Sequence, residues 1–197
     1  LRGKRENIEK KENYLQIIEG DITRYKDFSK INTKIDCVCH LAFLNGTKNF
    51  YEKPELVLDI GIKGLINVID FCVKKNVKEL ILFSSSEVYH KPSKIPTDEN
   101  ERLVIPDIFN PRYSYSAGKI LTEIMGINYG KKFFKKLIII RPHNVYGPNM
   151  GNEHVIPNLI NKINLIKNDN KNLEIFGNGN ETRSFIYIDD FVDAFMK

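Results

Sequence analysis

The chain has 197 residues, of which 42% are hydrophobic and 28% charged, a composition ordinary for a soluble globular protein with one substantial core. Its formal net charge is +5, but the lysines are scattered among acidic residues rather than gathered in one stripe, which argues against a nucleic-acid partner. No secretory segment follows Leu1 and no apolar run approaches the ~18 residues that a membrane span needs, so we expect a cytoplasmic protein without a membrane partner.

Strands and helices alternate along most of the chain. Short apolar runs predict strands, and the nearly continuous run Ile35–Ala42 is typical of a strand covered on both faces. In chain order, the predicted elements are a strand at Tyr14–Ile18, a strand at Ile35–Ala42, a helix from about Glu55 to Lys75, a strand at Leu80–Phe83, a helix from Tyr115 to about Tyr129 and a strand at Leu137–Ile140. This alternation favours an α/β fold in which right-handed β-α-β units build a parallel sheet.

The pattern changes after Gly147, where prolines and glycines interrupt it. The following residues predict a helix around Val155–Ile166, a short strand at Leu173–Phe176 and a turn at Gly177–Asn180. We therefore expect a larger domain at residues 1–147 and part of a smaller domain at residues 148–197.

Three cysteines, Cys37, Cys39 and Cys72, include no Cys-x-x-Cys pair. Cys37, Cys39 and His40 lie too close together on one strand to close a tetrahedral metal site without further ligands. We therefore expect no metal and interpret the cysteines as small buried hydrophobic residues.

Tyr115 and Lys119 are the most informative pair of residues in the chain. They are four residues apart on a predicted helix, so they lie on the same helix face. A nearby ammonium favours the charged form of a phenol, and it should move the pKa of Tyr115 toward neutrality. The pair therefore predicts a general base.

A run of three serines and a glutamate follows the strand Leu80–Phe83. These residues, Ser84 to Glu87, lie at the carboxyl end of a predicted parallel strand, which is where ligands bind in open α/β sheets. Because side chains alternate along a strand, one or two of the serines can face the pocket. Register favours Ser85, and an alternative register favours Ser86.

Six motifs in the order and spacing of one family cover almost the whole chain. They are Gly20–Ile22, His40–Ala42, Ser84–Tyr89, Tyr115–Lys119, Arg141–Pro148 and Thr182–Asp190. With these motifs the chain resembles the extended short-chain dehydrogenase/reductase family, in particular NAD-dependent nucleotide-sugar epimerases and dehydratases. The resemblance implies a Rossmann-like, doubly wound parallel sheet with part of a smaller substrate domain, NAD as cofactor, a nucleotide-diphosphate sugar as substrate, and a homodimer.

The resemblance also implies where NAD binds. It implies contacts with the adenine end near Asp21, with the nicotinamide side near Leu41 and Ala42, and with the nicotinamide ribose through the Tyr115 and Lys119 pair. The cofactor-binding residues implied in this way are Asp21, Ile22, Leu41, Ala42, Tyr115, Lys119 and Pro142. Asp21 also suits a simple turn at a strand end, and Leu41 and Ala42 also suit core packing.

For catalysis, the resemblance implies oxidation of the sugar at carbon 4. Tyr115 as phenolate removes the hydroxyl proton, Lys119 stabilises the phenolate, and Ser85 holds the same sugar oxygen. Ser86, Asn144 and Arg183 are the implied substrate-binding residues, with the arginine on the diphosphate.

Glu87 separates the possible activities after the 4-keto step. A 4,6-dehydratase needs a second base, and Ser86-Glu87 resembles the pattern of GDP-mannose dehydratases and UDP-glucuronate decarboxylases, whereas a 4-epimerase does not require the glutamate. Glu87 could instead cap a turn or pair with a lysine. The alternatives are a UDP-glucuronate decarboxylase and a non-catalytic nucleotide-binding member of the fold.

The chain departs from the family pattern at three places. The Gly-rich turn that binds the cofactor pyrophosphate has no counterpart, so we expect an internal fragment that binds NAD poorly and is inactive on its own. Gly61 stands where many members carry an asparagine, and Phe43 stands where a second small residue is common. The sequence by itself does not show how Gly61 or Phe43 changes the site.

Overall fold

The computed structural model describes residues 15–152, 154–166, 172–175 and 177–197, and these fall into two compact units. The larger one, here called the sheet unit, covers Ile17–Pro142. The other, the small unit, contains Leu15, Gln16 and the described residues from His143 to Lys197. Chain contacts thus divide after Pro142, and the assignment of a cofactor domain and a substrate domain stays a prediction.

Three parallel strands form the centre of the sheet unit. They are β1 (Cys37–His40), β2 (Glu79–Phe83) and β3 (Lys136–Ile140), in the order β1-β2-β3. The register pairs His40 with Leu82 and Phe83 with Ile140, so the carboxyl ends of all three strands meet at one edge. The predicted α/β fold with a parallel sheet is therefore confirmed.

A nearly continuous helical path connects β1 with β2. It consists of α1 (Thr47–Glu52), α2 (Pro54–Leu58), a π-helical turn (Asp59–Lys63) and α3 (Gly64–Lys74). The helix predicted from about Glu55 to Lys75 is present, but it contains the π-helical turn, and α1 was not predicted. Such turns occur frequently at functional sites.

The second crossover helix, α4 (Ser114–Phe133), leads from β2 to β3 and begins where the sequence predicted. It packs very close to the sheet. A Cβ atom on Gly126 would overlap the side chain of Leu82, so only glycine fits there. The main core lies between α3 and the sheet. Its buried members are Leu65, Val68, Ile69, Phe71, Cys72, Val77, Leu80 and Leu82.

The small unit contains a separate two-stranded parallel sheet. Its strands are β4 (Asn144–Tyr146) and β5 (Phe185–Tyr187), and its helices are α5 (Val155–Ile166) and α6 (Ile188–Met196). Helix α5 has the predicted bounds. Positive φ angles of 90° at Gly177 and 83° at Gly179 agree with the predicted turn, because glycine adopts this conformation without steric cost.

Two predicted strands are wrong in their described parts. Residues 15–18 and 173–175 belong to no strand, while Tyr14 and Phe176 lie outside the described residues. A strand requires a hydrogen-bonded neighbour, and apolar content alone does not provide one. The structure pairs β4 with β5 instead, two short strands that were not predicted.

The prediction of buried cysteines is correct for Cys72 and wrong for Cys37 and Cys39, which are exposed. Both lie on β1, at the edge of the described sheet, so this strand is not covered on both faces as its apolar run suggested. Within the described ranges, no helix has the length and hydropathy to cross a membrane.

Candidate active site

The three serines after β2 have different environments. Buried Ser84 donates a hydrogen bond from its hydroxyl to Glu123 Oε1. Ser85 has extended backbone and accepts a hydrogen bond from the Glu87 N–H at 3.3 Å, which caps the 3-10 turn Ser86–Tyr89. The Ser86 N–H donates to the carbonyl of Pro142 at 3.0 Å. Ser84 therefore has a structural partner, and Ser85 is the serine whose hydroxyl acts on the pKa of Tyr115.

Tyr115 lies in the first turn of α4, where it is 7% exposed. Its ring stacks on Phe50 of α1 at a centroid distance of 5.0 Å, and it meets the edge of Phe43 at 5.1 Å. Asn110 caps the 3-10 turn Pro111–Tyr113 that leads into this helix, because its side chain accepts a hydrogen bond from the Arg112 N–H at 3.0 Å. Two rings therefore cover the phenol from two sides.

The pKa of Tyr115 moves in the opposite direction from the one predicted. Burial is the main cause that raises this pKa to about 12, and the charge of Glu87 contributes to the rise, while the Ser85 hydroxyl and the charge of Arg112 act against it. The expectation that Lys119 moves the pKa of the phenol toward neutrality is wrong. The cause is desolvation, which disfavours a charged phenolate.

Lys119 directs its ammonium at the sheet edge. Its Nζ donates a hydrogen bond to the carbonyl of Phe83 at 2.6 Å, and the side chain is buried with 4% of the residue exposed. Nζ lies 4.3 Å from the ring centroid of Phe43 and 5.6 Å from that of Tyr115. Burial lowers the pKa of Lys119 to about 8. The prediction that Tyr115 and Lys119 lie on the same face of the helix is confirmed. The ammonium donates to the end of β2.

Glu87 forms an ion pair with an arginine that the sequence prediction missed. The Arg112 guanidinium donates to Glu87 Oε2 at 2.9 Å, and its Cζ lies 5.0 Å from the ring centroid of Phe50. Glu87 therefore pairs with Arg112 and not with a lysine. Its carboxylate still acts on Tyr115, since it contributes to the raised pKa of that phenol.

A second missed group lies one helical turn beyond Lys119. Buried Glu123 accepts two hydrogen bonds from Arg141, from Nε at 2.8 Å and from Nη2 at 2.6 Å. Arg141 also donates to the hydroxyl of Tyr89 at 2.8 Å, and the hydrogen bond with Glu123 raises the pKa of Arg141. The spacing of Tyr115, Lys119 and Glu123 at successive turns was a sequence signal that could have identified it.

His40 ends β1 and is buried. Burial is the main cause that lowers the pKa of His40 to about 4, and the charge of Lys119 contributes to the decrease. The imidazole is therefore neutral at physiological pH, and it does not compete with the lysine for a proton.

The residues implied for NAD binding differ in exposure and in their contacts. Leu41 is 59% exposed and Ala42 is also exposed just after β1, whereas Ile22 packs over Gly64 and is half-buried. Asp21 accepts hydrogen bonds from the N–H and hydroxyl of Thr23, and these lower the pKa of Asp21.

An exposed leucine directly after β1, at the carboxyl edge of a parallel sheet, is a residue type that could cover the nicotinamide end of NAD. The part of the chain that the structure describes contains no Gly-rich turn after a strand for the pyrophosphate. The fit therefore concerns one end of the cofactor.

Asn144 and Arg183 lie in the small unit. The Asn144 side chain donates to the carbonyl of Ser184 at 3.0 Å. Exposed Arg183 donates to the carbonyl of Thr182 at 2.7 Å. Their contact with a substrate stays a prediction.

Known proteins resemble this chain in sequence and in structure. It is 35% identical over 167 residues to a dTDP-D-glucose 4,6-dehydratase of Dictyostelium discoideum, with 82% of this chain and 38% of that protein covered. It is 30% identical over 185 residues to a UDP-glucuronate 4-epimerase of Thermodesulfobacterium geofontis, with 93% and 54% covered.

Among solved structures, the chain is similar to a UDP-N-acetylglucosamine 4-epimerase from Methanobrevibacter ruminantium M1 in complex with UDP-N-acetylmuramic acid. The TM-score is 0.82 and the sequence identity is 27%, with 98% of this chain and 60% of that one covered. The chain therefore spans between 38% and 60% of the length of these relatives. Their activities include both epimerisation and dehydration.

Residues 2–197 match the sequence profile described as the NAD dependent epimerase/dehydratase family. The resemblance stated from the motifs is confirmed, the Rossmann-like fold agrees with it, and NAD dependence is typical of the family. The chain belongs to the NAD dependent epimerase/dehydratase family.

Proposed function

We propose that the protein carrying this chain is an NAD-dependent nucleotide-sugar epimerase or dehydratase that oxidises its sugar at carbon 4. The observation that carries the proposal is the grouping of Ser85, Tyr115 and Lys119 at the carboxyl edge of the parallel sheet. Family membership supports the same reaction class.

In the proposed reaction, Tyr115 takes the proton of the sugar hydroxyl. When bound, NAD supplies the acceptor for the hydride from carbon 4 and a positive charge near the phenol. Ser85 holds the reacting oxygen against Tyr115, and Lys119 supplies the ammonium that favours the phenolate. The product of this step is a 4-keto sugar.

We further propose the cofactor and substrate contacts of this chain. Leu41 and Ala42 cover the nicotinamide side, Asp21 and Ile22 lie at the adenine end, and Pro142 follows the end of β3. Ser86, Asn144 and Arg183 bind the nucleotide-diphosphate sugar. The exposure of Leu41, Asn144 and Arg183 supports these assignments, because each side chain is accessible to a ligand.

A dehydratase is the subtype that one specific observation favours. Glu87 is half-buried and its charge contributes to the raised pKa of the Tyr115 phenol, which supports a place for its carboxylate near the reacting sugar. A 4,6-dehydratase needs a base there for the proton on carbon 5. The ion pair with Arg112 keeps this carboxylate in place in the free protein.

The activity is tested by incubating the purified protein with NAD and a panel of nucleotide sugars. A 4-keto product with alkaline absorbance supports a dehydratase, an inverted hydroxyl at carbon 4 supports an epimerase, and carbon dioxide release supports a decarboxylase. Absence of all three products with every sugar would contradict the proposal and favour a non-catalytic nucleotide-binding protein.

Replacement of Glu87 by Gln decides between the subtypes. We expect dehydration to fall by about 10²–10⁴-fold, because an amide cannot act as the base, while epimerisation would change little. Arg112→Met is the matched control, since it removes the same ion pair and keeps the carboxylate. Equal losses in both variants would show that the ion pair, and not the base, is required.

A further inference from the structure

Phe43 and Gly61, the two departures from the family pattern inside the chain, lie in contact with each other. A Cβ atom placed on Gly61 would overlap the Cζ atom of the Phe43 ring, and a Cβ atom on Gly118 would lie 2.7 Å from the same Cζ. Real side chains do not approach so closely. The ring therefore occupies a notch that exists because positions 61 and 118 are glycines.

The ring in this notch is a neighbour of the candidate catalytic pair. Lys119 Nζ lies 4.3 Å from the Phe43 centroid, within the ~6 Å at which a cation and an aromatic face attract each other. The ring also meets Tyr115 edge to face, with 80° between the ring planes. Phe43 thus lies between the ammonium, the phenol and two glycine backbones.

We propose that Phe43 is a positioning residue for Lys119, seated in the notch of Gly61 and Gly118 and holding the ammonium through its aromatic face. The proposal rests on the proposed function, because Lys119 acts there on Tyr115. The face of Phe43 and the carbonyl of Phe83 are two contacts that the structure shows for this ammonium. Phe43 lies in the loop after β1, and its ring makes an attractive contact with the lysine. Glycine at position 61 has no side chain, and the ring occupies that space.

The surroundings of the ammonium determine how it responds to a change at Phe43. The titratable groups that face it are His40 from β1 and Tyr115 from α4. Glu87 and Arg112 act on the phenol of Tyr115. Burial is the cause of the lowered pKa of Lys119, so the ring both attracts the charge and keeps water away from it.

Two substitutions separate these two effects. Phe43→Met keeps most of the apolar volume but removes the aromatic face, so the pKa of Lys119 should fall below its wild-type value of about 8. Phe43→Ala admits water, so the pKa should rise toward its usual value. We expect shifts of about half to one pH unit in opposite directions.

The measurement is an NMR titration of the side-chain carbon next to the amine, in protein labelled with ¹³C-lysine and assigned with Lys119→Arg. Phe50→Met is the matched control, because Phe50 covers the other side of Tyr115. An unchanged Lys119 midpoint in both Phe43 variants, or an equal shift in Phe50→Met, would overturn the proposal. This readout does not require activity, so it stays informative if the product assay contradicts the proposed function.

The glycine notch gives a second test. Alanine favours helices more than glycine does, so any loss of stability in Gly61→Ala must come from displacement of the ring. We expect this variant to be destabilised and to shift the Lys119 midpoint, whereas the same change in a Phe43→Ala background should be tolerated. If the losses of stability caused by Gly61→Ala and Phe43→Ala simply add in the double variant, the proposed packing of Phe43 against Gly61 is contradicted.

In active protein, the expected kinetic signature of Phe43→Met is a kcat about tenfold lower with a shifted pH profile, and a KM for the nucleotide sugar within about twofold of wild type. A change confined to KM would contradict a role through Lys119. A Tyr115→Phe protein that retains full turnover would instead contradict the proposed function itself.

Discussion

Tyr115 and Lys119 both titrate far from their usual values in the ligand-free protein. The phenol pKa is raised to about 12 and the ammonium pKa is lowered to about 8, and burial is the main cause of both. A phenolate half-populated at pH 7 would therefore need about 7 kcal/mol of additional stabilisation, since each pH unit is worth about 1.4 kcal/mol. Under the proposed function, NAD and the nucleotide sugar would supply that difference by placing a positive charge and a hydrogen-bonding hydroxyl beside the phenol.

Replacement of Tyr115 by Phe tests the proposed proton transfer. We expect kcat to fall by about 10²–10⁴-fold, because the hydroxyl is lost, while the ring contacts with Phe50 and Phe43 keep the fold. The product assay and a thermal melt of the same protein provide the measurement. Tyr113→Phe is the control, since Tyr113 packs against His90 outside the pair. Turnover above a tenth of wild type in Tyr115→Phe would contradict the mechanism.

Lys119 should also make stability depend on pH. Its folded pKa of about 8 lies below the usual value of 10.5, so between these pH values the unfolded chain binds more protons at this group. The group therefore destabilises the fold below pH 8, and this penalty is lost as the pH rises toward 10.5. Relative to Lys119→Met, wild type should gain about 3 kcal/mol between pH 7 and pH 10.5.

Urea unfolding of both proteins across this range measures the difference. Comparison with Lys119→Met cancels the titration of other groups, including Cys72, whose pKa burial raises to about 12. Lys132→Met, on the exposed side of the same helix, should show no such trend. A constant difference between wild type and Lys119→Met would show that the lysine is not desolvated.

At the scale of secondary-structure elements, Arg141 and Glu123 join the end of β3 to α4. Glu123 is 2% exposed, and it also accepts the hydroxyl of Ser84 at the end of β2. The ends of β2 and β3 and helix α4 therefore share one buried carboxylate. Because α4 carries Tyr115 and Lys119, this network holds the two side chains at the carboxyl edge of the sheet.

Arg141→Met should be strongly destabilising, by about 3 kcal/mol, because it leaves a buried carboxylate without its partner. The double variant Arg141→Met with Glu123→Leu should recover most of the loss, since it removes both charges together. Denaturant unfolding of the wild type and the three variants completes the cycle. A loss below about 1 kcal/mol in Arg141→Met would show that water compensates the carboxylate.

At the scale of the whole molecule, we propose that the protein is a homodimer formed through α3 and α4. Ile66 on α3 and Ile124 and Ile127 on α4 are 40%, 50% and 40% exposed, which leaves apolar surface available to a second copy. Ile124→Lys should therefore yield a monomer in light scattering at concentrations where wild type is dimeric. Ile95→Lys, at an 88% exposed position on the loop after β2, is the control and should leave the mass unchanged. A monomeric wild type would refute the proposal.

The sequence by itself determined the class of fold and the position of the candidate catalytic pair on one helix. Apolar runs such as Leu80–Phe83 and the spacing of Tyr115 and Lys119 are local patterns, and local patterns survive into the structure because they decide which face of an element is buried. The parallel sheet and helix α5 followed from them, and the family followed from the resemblance of six motifs. The strand predicted at Tyr14–Ile18 failed in its described part because pairing depends on a distant neighbour.

Only the tertiary structure decided the environment of the pair. Phe50 of α1 stacks on Tyr115, and Arg112 pairs with Glu87 from the turn after β2. Neither contact is encoded in local spacing. The pKa of Tyr115 depends on how completely these neighbours exclude water, which is why the predicted direction was wrong. The meaning of Phe43 and Gly61 was likewise hidden until the fold brought the ring and the missing side chain into one volume.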